Sequence, residues 1–430
     1  MPKNVYVLGL TDLQRKELAT VRAAQDYSFR GLLDYERLVE DTDYDLESLL
    51  EQARAELAQH GDSVDAIVCH WDFPSSVIGP ILAAEHGIPA PSLRSVLASE
   101  HKYWSRLSQR ASVPEVVPRF VSFDPFADDV GAQIDLDFPF WVKPVKAHSS
   151  NLGFAIHDEA ELAAAVEEIR AQITDIGDAF NQALARVELP AELHDADGNT
   201  CLAEQIVTGI QAAPEGTVHR GQYRVHGVFD MLKDDAQQSI ARLDYPAGTV
   251  PHEAQQQMID VAGRYLAHIG YDNGAFNAEF MWDEAADQLW LIEINTRISQ
   301  SHSELFILVD GGSNHEVAID LALGQAPSMP QRQGRYAVAA KCEVFHDSDG
   351  TVRRVPSDEE IAALVDRFPQ TKVSLHVELG DVLSQVPHQD SYRYILASIY
   401  LGGDDHADLG RRHAAAAAML NFEIDPIEGA

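Results

Sequence analysis

Three oxygen-bearing side chains in otherwise apolar strands are the residues best placed for chemistry: Glu279, Glu293 and Asn295. They lie in the stretch Ala275 to His302, AFNAEFMWDEAADQLWLIEINTRISQSH. Its aromatic and aliphatic runs predict two strands, Ala275 to Trp282 and Leu289 to Asn295, joined by the acidic turn Asp283 to Gln288. Glu293 and Asn295 are two apart and share a strand face. A hairpin closed near residue 285 brings Glu279 beside Glu293. Two carboxylates and an amide oxygen at one spot, with Arg297 just beyond, repel each other unless a cation sits between them. Hard oxygen ligands of this kind suit Mg²⁺, which takes one or two carboxylates together with phosphate oxygens, or Mn²⁺. The plain alternative is an edge hairpin whose acids face water. Glu293 argues against it, because it interrupts the apolar run LWLIEIN where a solvated face would alternate regularly.

The elements that must position these residues come from a chain of 430 residues, long enough for two or three domains. Hydrophobic residues make up 45% and charged residues 23%, ordinary values for a globular protein. The net charge of −36 is not ordinary. It excludes nucleic acid and anionic membrane as natural partners, since phosphate backbones require a basic footprint. Any phosphorylated ligand must be held by a local positive site. Lysine is scarce relative to arginine and acids are spread throughout, a pattern suggesting a high-GC or salt-tolerant source. Cys69, Cys201 and Cys342 are far apart and show no CxxC spacing, so free thiols are expected rather than a disulfide framework or zinc site. The N-terminus MPKNVYVLGL lacks the apolar length of a signal peptide, and no run reaches the ~20 apolar residues of a membrane span. A cytoplasmic protein is expected.

Residues 1 to about 100 alternate between strand and helix signals: strands Val5 to Leu10 and Val64 to Cys69, then a helix Val77 to His86 stopping at Gly87. That order predicts a parallel sheet with helices on its faces. Gly9 alone is no dinucleotide fingerprint, so NAD binding is not expected. Ser95 to Ala111 reads as one helix with Lys102 and Arg106 on one face. Phe140 to Val145 is a strand carrying Lys143, followed by the loop Lys146 to Gly153 and a short strand, Phe154 to Ile156. A helix over Glu159 to Gln172 comes next, then strands Leu202 to Val207 and Gln222 to Leu232, and a helix Pro251 to Ile269. After the Pro/Gln/Gly-rich segment GQAPSMPQRQG, strands Tyr336 to Phe345 and Val373 to Leu379, a helix Leu409 to Leu420 and the strand-like 421–424 suggest a smaller α+β domain.

Lys143 sits inside an apolar strand, an expensive place for an ammonium unless it snorkels at an edge. The loop that follows contains His148, Ser149, Ser150, Asn151 and Gly153, whose amides and hydroxyls could close over phosphate as a nest does. It lacks the GxxxxGK[ST] spacing of a P-loop. Glu204 is a further acid in an apolar strand, LAEQIV. Backbone groups of Gln205 and Ile206 there could read an adenine edge, or the strand could simply be a hairpin edge.

The order of these residues resembles the ATP-grasp superfamily: a lysine on a helix (Lys102), a lysine on a strand (Lys143), a Ser/Gly loop, an acid-bearing hinge strand, then NAEF and EINTR. The resemblance covers about residues 1 to 330, with EINTR after NAEF its most specific part. The tail is similar to the small C-terminal domain of biotin-carboxylase-like and amino-acid-ligase-like members. It implies a mixed α/β and α+β fold: an N-terminal Rossmann-like domain (1–100), and an ATP-grasp core (101–330) with lid lobe about 115–207 and catalytic lobe about 208–330. A C-terminal α+β domain (335–430) completes it.

The resemblance also implies roles. Lys102 and Lys143 bind ATP phosphates, Glu204 to Ile206 form the adenine hinge, and loop 148–153 is the phosphate cover. Glu279, Glu293 and Asn295 match the Mg²⁺ ligands, and Arg297 matches the arginine that steadies the transferred phosphate. Gln211 stands where family members often carry a ribose-binding acid and lacks that carboxylate. Ser301 and His302 could line the acceptor pocket, or His302 could be a helix N-terminal residue with no chemistry.

The implied function is an ADP-forming carboxylate–amine ligase acting on small molecules, an amino-acid ligase or similar, through an acyl phosphate. Family members are often homodimers. One alternative is a biotin-carboxylase-like enzyme. Here Arg297-Ile298-Ser299-Gln300-Ser301-His302 lacks the Val-Glu pair of that motif, and no MKM biotin-attachment sequence is present. The other is an ATP-binding module without catalysis.

Overall fold

Short apolar runs between polar turns build the first sheet. In the computed structural model, which describes residues 2–41, 44–147, 152–234, 239–387, 389 and 393–427, β1 (Lys3–Leu8) is flanked by β2 (Tyr27–Leu32) and β3 (Ala66–Val68). Both pairings are parallel, and Val5 to Leu8 are fully buried on both faces, as a covered parallel sheet requires. Helices α1 (Asp12–Leu18), α2 (Leu46–His60) and α3 (Ser75–His86) supply the cover, and α3 ends where Gly87 takes a φ of 66°.

The single helix expected over Ser95 to Ala111 is two: α4 (Leu93–Glu100) and α5 (Lys102–Ser112). His101 breaks it with a ψ of 100° and caps the second, its Nδ1 accepting the Trp104 amide at 3.2 Å. The Lys102 amide then donates to Val145 O at 3.0 Å.

A four-stranded sheet follows, formed by β4 (Phe120–Phe123), β5 (Phe140–Pro144), β6 (Phe154–Ile156) and β7 (Cys201–Gln205) in the order β4-β7-β5-β6. Helix α6 (Glu159–Leu184) covers it and runs well past the expected Gln172, because Ile173, Phe180, Ala183 and Leu184 continue its buried stripe.

The remaining chain is organised by one eight-stranded sheet. It contains β8 (Ile210–His219), β9 (Gln222–Lys233), β10 (Ile240–Tyr245) and, after α7 (His252–His268), the hairpin β11 (Gly274–Asp283) and β12 (Gln288–Asn295). Helices α8 (Ser303–Asp310) and α9 (Asn314–Ala322) lead to β13 (Val338–His346), β14 (Gly350–Arg354), α10 (Asp358–Arg367) and β15 (Lys372–Leu375). The chain closes with β16 (Tyr394–Gly403), α11 (His406–Ala417) and β17 (Glu423–Pro426). The sheet order is β12-β11-β8-β9-β10-β13-β16-β15. Arg242↔Cys342 and Asp244↔Ala340 join β10 to β13, so one hydrogen-bond ladder runs across the GQAPSMPQRQG segment. Among the described residues no helix is long and apolar enough to cross a membrane.

Candidate functional site

The hairpin forms as its sequence predicts. Asp283 Oδ1 accepts the amides of Ala285 and Ala286 at 3.0 and 3.1 Å, an Asx turn that reverses the chain. The resulting register sets Glu279 opposite Glu293 and Asn277 opposite Asn295. Just beyond, Phe280 pairs with Leu291, so the ladder shifts by one residue beside the two acids.

Glu279 Oε2 accepts from Gln211 Nε2 at 3.0 Å, and Oε1 from Asn295 Nδ2 at 3.4 Å. Burial, reinforced by the neighbouring Glu293 charge, pushes the Glu279 carboxyl up to about 7, against the opposing pull of Arg297 and Gln211. A carboxylate pair so strained by its own charge has the chemistry of a cation site. Turning the Asn295 amide, whose O and N are nearly interchangeable in shape, would offer a third oxygen. Among the described residues no group of three or more His, Cys, Asp or Glu is gathered for a metal.

A second acid has the opposite surroundings. Glu204 lies on β7, facing Phe120 of β4 and Trp141 of β5. Arg106 Nε donates to its Oε1 at 2.5 Å, and Lys143 Nζ lies 2.7 Å from Oε2. Arg106 also donates to Gln109 Oε1 at 2.5 Å and to Leu291 O of β12 at 2.7 Å, tying α5 to both sheets. Burial alone would raise the Glu204 carboxyl, but the charges and hydrogen bonds of Arg106 and Lys143 hold it down to about 2.

Lys102, at the start of α5, is half-buried and has no ion-pair partner among the described residues. Burial lowers its pKa; the Glu293 charge opposes that, while Lys146 and Lys143 add to it. The same field therefore contains three ammoniums and two carboxylates, Glu293 of the hairpin and Glu100 of α4.

Arg297 forks onto Asp72 beyond β3, with Nε to Oδ1 and Nη2 to Oδ2 both 2.7 Å, and Nη1 donates to Ile298 O at 3.1 Å. Burial would lower its pKa, but Asp72, Glu279 and Glu293 together raise it.

At the expected hinge, the Glu204 side chain is occupied by its two cations, and the Gln205 amide donates to Arg119 O at 2.8 Å. Gln205 Oε1 in turn accepts the Arg119 amide at 3.3 Å, and half-buried Ile206 has no such backbone bond among the described residues. Gly209 lets the following link approach the hairpin: its φ is 144°, and a Cβ there would lie 2.3 Å from Trp282 O. His148, Ser149 and Ser150 lie outside the described residues; Gly153 stands just before β6.

His302 is 2% exposed. Its Nδ1 lies 2.7 Å from Glu215 Oε2, and the ring stacks on Phe229 at 3.6 Å and 7°. Glu215 also accepts the Ser299 amide at 3.1 Å and Asn314 Nδ2 at 2.8 Å, so it supports the turn after Arg297 from beneath. Ser301 is half-buried in that turn. Sequence reasoning missed Arg106 as a partner of Glu204, and missed Asp72, Glu215, Glu100 and Lys146. Lys146 did carry a signal, being a second lysine three residues after Lys143.

With this geometry in hand, comparisons place the fold. Residues 136–304 match the family described as ATP-grasp domain. No curated protein matches the chain in sequence. Among solved structures, L-amino acid ligase from Bacillus licheniformis superposes with a TM-score of 0.73 at 15% identity, covering 98% of each chain. Carboxyaminoimidazole ribonucleotide synthase from Aspergillus clavatus, complexed with ATP, has a TM-score of 0.66 at 14% identity, over 97% of this chain and 98% of that one. Biotin carboxylase from Campylobacter jejuni has a TM-score of 0.62 at 15% identity, over 99% and 93%. At these identities the likeness is one of fold. The chain has the ATP-grasp fold and carries an ATP-grasp domain over residues 136–304.

Proposed function

We propose that this protein is an ATP-dependent carboxylate–amine ligase that joins two small molecules through an acyl phosphate, releasing ADP and phosphate. One observation carries the proposal: a strained carboxylate pair, Glu279 and Glu293, stands in the same electrostatic field as Lys102 and Arg297. Opposed sets of that kind suit a metal-bound polyphosphate. The full-length likeness to an L-amino acid ligase supports the choice of reaction.

Glu279, Glu293 and Asn295 would hold Mg²⁺ or Mn²⁺, which when bound neutralises phosphate charge. Lys102 and Lys143 would hold the phosphates, with Glu204 and Arg106 fixing where Lys143 reaches. The link from Gln205 through Ile206 would face adenine. A substrate carboxylate oxygen bonds to the γ-phosphorus as the bond to the ADP oxygen breaks. Arg297 would face the phosphate in transit, a positioning and charge-stabilising role that needs no protein nucleophile. The amine nitrogen then bonds to the acyl carbon, phosphate leaves with the C–O electron pair, and the amine gives up a proton. Acceptor selection would fall to the segment from Arg297 to Gly312, with Glu215 and His302 holding its turn in shape.

A pairwise screen of amino acids and small carboxylic acids with ATP and Mg²⁺, read by phosphate release, tests this. At least one acid–amine pair should turn over and yield the amide. Tight ATP binding with no turnover by any pair would point to a non-catalytic module. Turnover that needs bicarbonate and free biotin would point to carboxylation instead.

A further inference from the structure

Lys146, at the root of the 147–153 segment, carries a charge that the proposed reaction does not use. It is the one lysine of the chain's eight that the fold buries, its side chain 7% exposed and that of its partner Glu100 8%. Nζ lies 2.6 Å from Glu100 Oε2, its one hydrogen-bond acceptor among the described residues. The rings of Phe73 and Phe180 stand 5.7 and 5.9 Å away. An ammonium has three N–H donors. Two of them therefore meet no oxygen among the described residues, where the ring faces stand on that side of the charge.

Packing does not explain this choice of residues, because a buried ion pair is commonly no more stabilising than apolar groups of the same volume. Placement does. The Lys102 amide donates at 3.0 Å to Val145 O, the residue just before Lys146, and Lys102 feels the charges of Lys146 and Lys143 against those of Glu293 and Glu100. Three ammoniums gather there, two of them held by the carboxylates Glu100 and Glu204, while Lys102 has no ion-pair partner among the described residues. The other cations of the site follow the same pattern of waiting on a carboxylate: Lys143 on Glu204 and Arg297 on Asp72.

We propose that Lys146 is a third phosphate-binding lysine, and that Glu100 holds its ammonium until the terminal phosphates of a nucleoside triphosphate replace that carboxylate. This inference rests on the nucleotide reading given above. It adds a residue that acts on the phosphates and not on the nucleoside.

Calorimetric binding of ATP and of adenosine to the full chain, with Mg²⁺ present, separates the two. Lys146→Gln should weaken ATP binding roughly tenfold or more, the worth of a charge-assisted hydrogen bond, and leave adenosine binding unchanged. Glu100→Gln should leave ATP binding as tight as before or tighter. If Lys146→Gln fails to fold, the double variant Lys146→Met/Glu100→Leu removes both charges together and should show the same selective loss. An unchanged ratio of ATP to adenosine affinity in the folded variant would overturn the assignment of Lys146 while leaving the nucleotide site intact. Failure of the unaltered protein to bind ATP at all would instead overturn the reading on which it rests.

Discussion

Glu279 and Glu204 are both glutamates in the middle of apolar strands, and the fold treats them in opposite ways. Burial pushes each carboxyl upward. Beside Glu279 stands a second carboxylate, Glu293, and the pKa rises to about 7. Beside Glu204 stand Arg106 and Lys143 at 2.5 and 2.7 Å, and it falls to about 2. Burial raises both; the neighbours decide whether that rise is reinforced, as by Glu293, or reversed, as by Arg106 and Lys143. Glu204 is already neutralised and belongs to the scaffold that aims Lys143. Glu279 and Glu293 face each other instead, with only the more distant Arg297 charge opposing them, the pattern on which the proposed cation site rests.

The contrast can be broken experimentally, and the largest effect should come from Glu204. Glu204→Gln leaves Arg106 and Lys143 buried without their carboxylate and should cost about 3–5 kcal/mol in urea unfolding. Glu279→Gln, measured without metal, should not lower the urea midpoint, because it relieves repulsion. Equal losses in the two variants would end the distinction. A pH series sharpens the same point. The Glu204 carboxyl sits near 2 when folded against an ordinary 4.5. Its contribution is therefore whole above pH 4.5 and is lost as the pH falls toward 2. The stability gap between the unaltered protein and Glu204→Gln should close across that window; a constant gap would contradict the ion-pair account.

Activity should rank the residues the other way. Glu279→Gln should lower ATP-dependent phosphate release by roughly 100-fold or more, as loss of a charge-stabilising group in an active site does. An unaltered rate would show that the carboxylate pair holds no metal. The smallest effect is expected at Gln211, whose amide donates to Glu279 from β8. Gln211→Ala should weaken Mg²⁺ roughly tenfold, as removal of a group orienting a ligand does, seen as a shift in the Mg²⁺ dependence of phosphate release.

The hairpin was legible because its determinants are local. Strand alternation and the Asp283 turn are set within about twenty residues; the facing of Glu279 and Glu293 also needs the one-residue register shift between Glu279 and Phe280, which no alternation pattern announces. The order of Lys102, Lys143 and EINTR carried the resemblance to the ATP-grasp fold, which the comparison of structures bears out. The helix at Ser95 to Ala111 was misjudged because its apolar period continues through the His101 break. There the Trp104 amide finds the His101 ring and the Lys102 amide finds Val145 O, just beyond the end of β5.

What the sequence by itself determined is therefore the set of reactive groups and their local geometry: two facing acids, an amide beside them and an arginine just past the strand. What only the tertiary structure decided is the charge state in which those groups wait. Arg106 meets Glu204 across 98 residues, Arg297 meets Asp72 across 225, and His302 meets Glu215 across 87. Charge interactions inside a protein depend on distance and on exclusion of water, and neither exists until distant segments pack together. The same letter in the sequence, Glu, becomes an ion-paired anion in one sheet and half of a facing carboxylate pair in another for that reason.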